Sequence, residues 1–128
     1  MSERQGRNLR ILCLACSSRR LSTLQAALKN SRYSALTAST SDQAVALCVA
    51  HVVVAAVVDA ESLRGQEWSV VKSLKGVRAN LPVILLEERD HQRESPLPEG
   101  VDAVGSMSSP EELHNKIDEL VRKAESAA

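Results

Sequence analysis

Apolar positions along this chain fall into short unbroken runs, separated by stretches in which they recur at helical spacing. The clearest run is Val52-Val53-Val54-Ala55-Ala56-Val57-Val58, which ends on Asp59. A continuous apolar run this short predicts a strand buried on both faces, as in a parallel sheet covered by helices. The strand preference of valine agrees. Leu9–Ala15 predicts a buried first strand, and residues 1–8 before it form a polar arm expected to be flexible. Tyr33–Ser39 is more polar and predicts a strand nearer a sheet edge. Leu81–Leu86 predicts a fourth strand, with Pro82 tolerated only at its start, and Val101–Gly105 a short fifth one.

Helical signals fill the gaps. Ser17 and Ser18 are good N-cap residues, and Leu21, Leu24, Ala27 and Leu28 follow at helical spacing. Lys29 suits that helix's negative end, and Asn30 can take a left-handed cap. Ser41 is placed to cap a short helix through Ala50, with Asp42 in its first turn. Ala60–Glu67, which contains Gly65, predicts a loop, and Trp68–Val77 a third helix with Val70, Val71 and Leu74 apolar. Glu87–Gly100 is dense in charge and holds Pro96 and Pro98. Two interior prolines would cost a helix about 3 kcal/mol each, so a helix here is expected to be lost or shortened. Ser109-Pro110-Glu111-Glu112 opens a last helix whose stripe is Leu113, Ile117, Leu120 and Val121.

Alternation of strands and helices predicts an α/β fold: a doubly wound, five-stranded parallel sheet with right-handed crossovers and strand order 2-1-3-4-5. Residues 9–128 are expected to form a single domain. Asp59 then sits at the C-terminal edge of the central strand, where open α/β sheets collect ligands and chemistry. It is either a functional carboxylate or a cap for the following loop.

Composition narrows the function classes. The chain of 128 residues has 16 basic and 16 acidic residues and no net charge, which favours neither nucleic acid nor a membrane surface as partner. Aromatic residues make up 2% and phenylalanine is absent, so the core must be Ala, Val and Leu, and base stacking has little to work with. The polar, basic start has no following apolar core of a signal peptide, and no run reaches the ~18 apolar residues of a membrane span. A cytoplasmic location with reduced thiols is the expectation for the three cysteines.

Other constellations are weaker. Cys13-x-x-Cys16 has redox-motif spacing, but Cys13 falls inside a strand, and residues three apart on a strand face opposite ways. Buried structural cysteine is the expected role, with Cys16 alone an oxidisable thiol as the alternative. His51, His91 and His114 lie on different elements without ligand spacing. Ser17-Ser18-Arg19-Arg20 could hold an anion at a helix start, but an N-cap followed by solvated arginines accounts for it. Cys16–Leu21 lacks the glycine of a flavin phosphate loop. Trp68 is expected to be half-buried, or else a partner contact.

The pattern resembles the receiver domain of two-component response regulators over about Leu9 to Lys123. Tyr33-Ser34-Ala35-Leu36-Thr37-Ala38-Ser39-Thr40-Ser41-Asp42-Gln43-Ala44-Val45 is similar, without a gap, to that family's second strand and helix. So are Leu81-Pro82-Val83-Ile84-Leu85-Leu86 to its fourth strand and Ser109-Pro110-Glu111-Glu112-Leu113 to the start of its last helix. The resemblance implies that Asp59 is the phosphoacceptor candidate. It also implies that the other active-site positions have changed. The acidic metal-ligand pair falls on Ala15 and Cys16. The switch Thr/Ser falls on Glu87, the aromatic switch residue on Val104, the lysine on Met107 and the proline on Ser108.

Those losses have chemical consequences. A carboxylate attacks a phosphoryl donor poorly unless a hard cation neutralises the transferring oxygens. Mg²⁺ takes oxygen ligands, which Ala15 lacks, while Cys16 offers soft sulfur. Met107 cannot hold a phosphoryl group by charge as lysine would. The expectation is a degenerate, non-enzymatic receiver-like signalling module that works through protein contact. No cofactor is expected, with Mg²⁺ binding weak or absent, and a homodimer is left open as the form of partner. The alternative is a conventional receiver phosphorylated on Asp59 by a histidine kinase. A small redox or flavin protein is the third reading.

Overall fold

The computed structural model describes residues 9–29, 32–63, 65–87, 100–106 and 109–127. Its elements are β1 (Leu9–Leu14), α1 (Ser18–Leu28), β2 (Tyr33–Ala38), α2 (Ser41–Ala50) and β3 (Val53–Asp59). They continue with α3 (Ala60–Leu63), α4 (Glu67–Val77), β4 (Val83–Leu86), β5 (Ala103–Gly105) and α5 (Pro110–Ala127). All strand pairs are parallel, in the order β2-β1-β3-β4-β5 expected from the sequence.

The sheet divides the core by strand parity, because successive side chains on a strand point to opposite faces. Ile11, Cys13, Ala55 and Val57 pack with Leu24 and Leu28 of α1 and Leu113, Ile117 and Val121 of α5. Leu12, Leu14, Ala56 and Val58 pack with Ala44 and Cys48 of α2 and Val70, Val71 and Leu74 of α4. From Ala55 to Asp59 every β3 residue is buried, which is why that strand reads as one apolar run. The apolar stripe of α5 sits where its helical period puts it, with Leu113, Ile117 and Val121 buried.

Several boundaries differ from the expectation. Val52 lies outside β3 and is 69% exposed, so the strand begins one residue later. Thr40, not Ser41, caps α2. Its Oγ1 accepts the N–H of Gln43 at 3.1 Å, and Gln43 Oε1 accepts the N–H of Ser39 at 2.8 Å. This reciprocal pairing fixes the start one residue upstream of the predicted cap. Lys29 ends α1 in an extended conformation, and Asn30 lies outside the described residues. The segment predicted as a loop after β3 contains the four-residue α3. Trp68 is 44% exposed, about half-buried as expected.

The predicted loss of a helix falls on residues 88–99, which lie outside the described residues, as do the arm at 1–8 and Met107 and Ser108. Gly100, which leads back into β5, has φ +94, and an added Cβ would lie 2.9 Å from Val71 Cγ1. Both the left-handed backbone and the close approach to α4 demand glycine there.

Candidate functional site

Parity on β3 also decides where Asp59 goes. Ala55 and Val57 face α1 and α5, so Asp59, two residues further, shares that face. Leu14 of β1 pairs with Val58, which sets Ala15 beside Asp59 at the C-terminal edge. On the other side Asp59 pairs with Leu86, and Leu86 with Gly105. The Glu87 N–H donates to Gly105 O at 3.0 Å, fixing Glu87 at the same edge.

Asp59 is completely buried, the one charged residue in the described core. Its partner is Arg20 in the first turn of α1. Arg20 Nε donates to Asp59 Oδ2 at 2.5 Å and Nη2 donates to Oδ1 at 2.8 Å. This is the two-point guanidinium–carboxylate fork, with both carboxylate oxygens engaged. Ser17 positions the arginine: its side chain caps α1 by accepting the Arg20 backbone N–H at 3.3 Å. An arginine in a helix's first turn opposes the helix dipole, and the buried carboxylate opposite compensates for it.

Arg20 was expected to be solvated, and the structure corrects this: its side chain is 26% exposed and directed inward onto Asp59. One available signal was the misfit of a cation at a helix N-terminus. The other was the shared parity of Ala55, Val57 and Asp59.

The remaining positions are brought to the same edge without forming an acidic cluster. Ala15 is buried and its side chain supplies no ligand atom. The Cys16 backbone N–H donates to Ser62 Oγ at 2.9 Å, which ties the end of β1 to α3, and its thiol points to Ser39 O at 3.7 Å. Val104 packs against the α2/α4 side of the core. Cys13, Cys16 and Cys48 are free thiols. Burial pushes the Cys13 thiol up to about 12, so it stays protonated. Among the described residues no three His, Cys, Asp or Glu side chains are grouped to hold a metal. The donor set does not suit Mg²⁺: one neighbour is Ala15, another is a thiol, and both Asp59 oxygens face a guanidinium.

No family model matches the sequence, and no curated protein registers as a relative of it. Solved structures do match. A CheY-like response regulator receiver domain protein from Methanospirillum hungatei JF-1 superposes with a TM-score of 0.81 at 19% identity, over 95% of this chain and all of that one. The chain has the receiver-domain fold. The receiver domain of a sensor histidine kinase from Pseudomonas aeruginosa PAO1, with a magnesium ion coordinated in its active site cleft, gives a TM-score of 0.76 at 18% identity, covering 90% of this chain and 98% of that chain. A response regulator from Thermotoga maritima in complex with Mg²⁺-BeF gives a TM-score of 0.75 at 20% identity, covering 88% and 98% respectively. In this receiver fold no described helix is long and apolar enough to cross a membrane.

Proposed function

We propose that this receiver-fold chain is a non-enzymatic signalling module that acts through protein–protein contact and does not depend on phosphorylation of Asp59. The observation that carries the reading is the Arg20–Asp59 fork. A phosphoryl donor must approach the attacking oxygen in line, and both oxygens of Asp59 are held by hydrogen bonds to one guanidinium that covers them and lowers their nucleophilicity. Asp59 is also fully buried, so a donor would reach it only after Arg20 left. Leaving would strand a buried carboxylate without its counter-charge, which is costly. Arg20 already supplies the positive charge that a metal ion would bring to this edge, and Ala15 and Cys16 offer no side-chain oxygen ligands for one. The same geometry supports metal-free operation as part of this proposal.

Output in this reading is constitutive. A switch must bias two states. Val104, at the position of the family's aromatic switch residue, has no ring to swing and packs into the core. The surface built by β5 and α5 is therefore presented in one form to a protein partner or a second copy. No nucleic-acid role is proposed for a chain without net charge.

The position of Asp59 at the end of β3 favours the second reading, conventional phosphorylation by a histidine kinase. Incubation with acetyl phosphate and Mg²⁺, followed by intact mass and peptide mapping, separates the two. The proposal expects no stoichiometric adduct on Asp59. A Mg²⁺-dependent phosphoryl adduct there would establish the conventional receiver instead.

A further inference from the structure

At the opposite, N-terminal edge of the sheet lies a groove of about 580 Å³ lined by Val52, Val54, Leu81, Pro82, Val121 and Arg78 among others. That volume lies within the range of small-molecule sites, which are mostly apolar with a few placed polar groups. Arg78 is the polar group of interest. It follows α4 as its C-cap residue, and its Nη2 donates to Cys48 O at 3.2 Å and His51 O at 3.0 Å at the end of α2. Its Nε is buried and makes no hydrogen bond. Among the described residues no carboxylate lies within ion-pair distance of Arg78.

A partly buried guanidinium ordinarily faces an acid, and a buried N–H ordinarily has an acceptor. Here the guanidinium faces no acid among the described residues and its Nε has no acceptor, although Nη2 is held by two carbonyls, and the residue borders an aliphatic wall. We propose that this groove binds an aliphatic monocarboxylate, with its chain along Val54, Leu81, Pro82 and Val121 and its carboxylate against Arg78. A polyanion such as a nucleotide fits poorly, because the groove offers aliphatic walls and a single cation. This inference stands apart from the reading of Asp59, which lies at the other edge of the sheet.

The test is a titration of the ¹⁵N-labelled full chain with octanoate below its micelle-forming range, with octanol as the uncharged control. Saturable amide shifts are expected at Val52, Val54, Arg78, Asn80 and Val121. Octanol should bind about tenfold or more weakly, as should octanoate to Arg78→Gln, reflecting one charge-assisted hydrogen bond. Because Arg78 also caps α2, Ala124→Glu provides an independent arm. Ala124 lines the groove on α5, and a carboxylate there should repel the ligand while the spectrum keeps its dispersion. The proposal is overturned by non-saturable shifts, by octanol binding as tightly as octanoate, or by undiminished octanoate binding in Ala124→Glu. Binding of a peptide with an apolar C-terminus where octanoate fails would overturn it too.

Discussion

Arg20 in the first turn of α1 grips Asp59 at the end of β3 through two hydrogen bonds of 2.5 and 2.8 Å. The pair joins a helix to the central strand across 39 residues of sequence. It also ties each carboxylate oxygen to a cationic donor, which lowers the nucleophilicity that a phosphoacceptor would need. Removing one partner of such a pair leaves the other uncompensated. Arg20→Ala should therefore lower unfolding free energy by about 3 kcal/mol, the scale for breaking a buried ion pair. Arg20→Lys should recover only part of this, because an ammonium cannot form the fork. Urea unfolding of the three proteins measures it. A loss near zero in Arg20→Ala would mean that the pair contributes nothing in solution.

Thiol chemistry should separate the three cysteines. Cys13 and Cys48 are buried, and burial holds the Cys13 thiol protonated to about pH 12, whereas Cys16 is exposed. Alkylation of the folded chain near neutral pH, mapped by peptide mass spectrometry, should label Cys16 first. The other two should react only on unfolding. Ready labelling of Cys13, or a Cys13–Cys16 disulfide under mild oxidant, would revive the redox reading.

Tyr33 supplies a pH prediction. Its phenol is buried and donates to Asp118, and both burial and that hydrogen bond raise its pKa, with burial the larger cause. The folded state therefore keeps this proton at a pH where the unfolded chain has released it. Stability from this group is complete below the unfolded value near 10 and falls as pH rises through the folded value. Urea unfolding at about pH 8 and about pH 11 should show wild type losing more stability than Tyr33→Phe over that interval. Equal losses would remove Tyr33 as a source of alkaline sensitivity.

Much of this architecture was legible because the sheet is buried on both faces. Val53–Val58 has the unbroken apolar pattern that such burial requires, and it fixed both the central strand and the edge on which Asp59 lies. Local boundaries were less legible where two residues could do the same work. Thr40 and Ser41 both carry a capping hydroxyl, and the choice rests on the reach of Gln43 back to Ser39. The four residues of α3 are too few to show a period. Trp68 is about half-buried, as expected, beside the inward stripe of Val70, Val71 and Leu74 on α4.

The site divided in the same way. Asp59 was found from its place at the end of a strand. Arg20 was missed, because an arginine beside an N-cap ordinarily points to solvent. Its role depends on which face of the sheet α1 covers, and that is a tertiary fact. Parity along β3 would have given it once α1 was assigned to the face of Ala55 and Val57.

The most direct measurement of the central claim is amide chemical-shift mapping with Mg²⁺ and beryllofluoride, the phosphoryl mimic. The fork engages both oxygens that the mimic would need, and Val104 has no ring to relay a change. The account predicts a spectrum unchanged beyond nonspecific salt effects, with the Asp59 and Arg20 amides in place. Saturable shifts running from Asp59 into Val101–Leu113 would show that Arg20 yields to the ligand and that the switch works, contradicting the account.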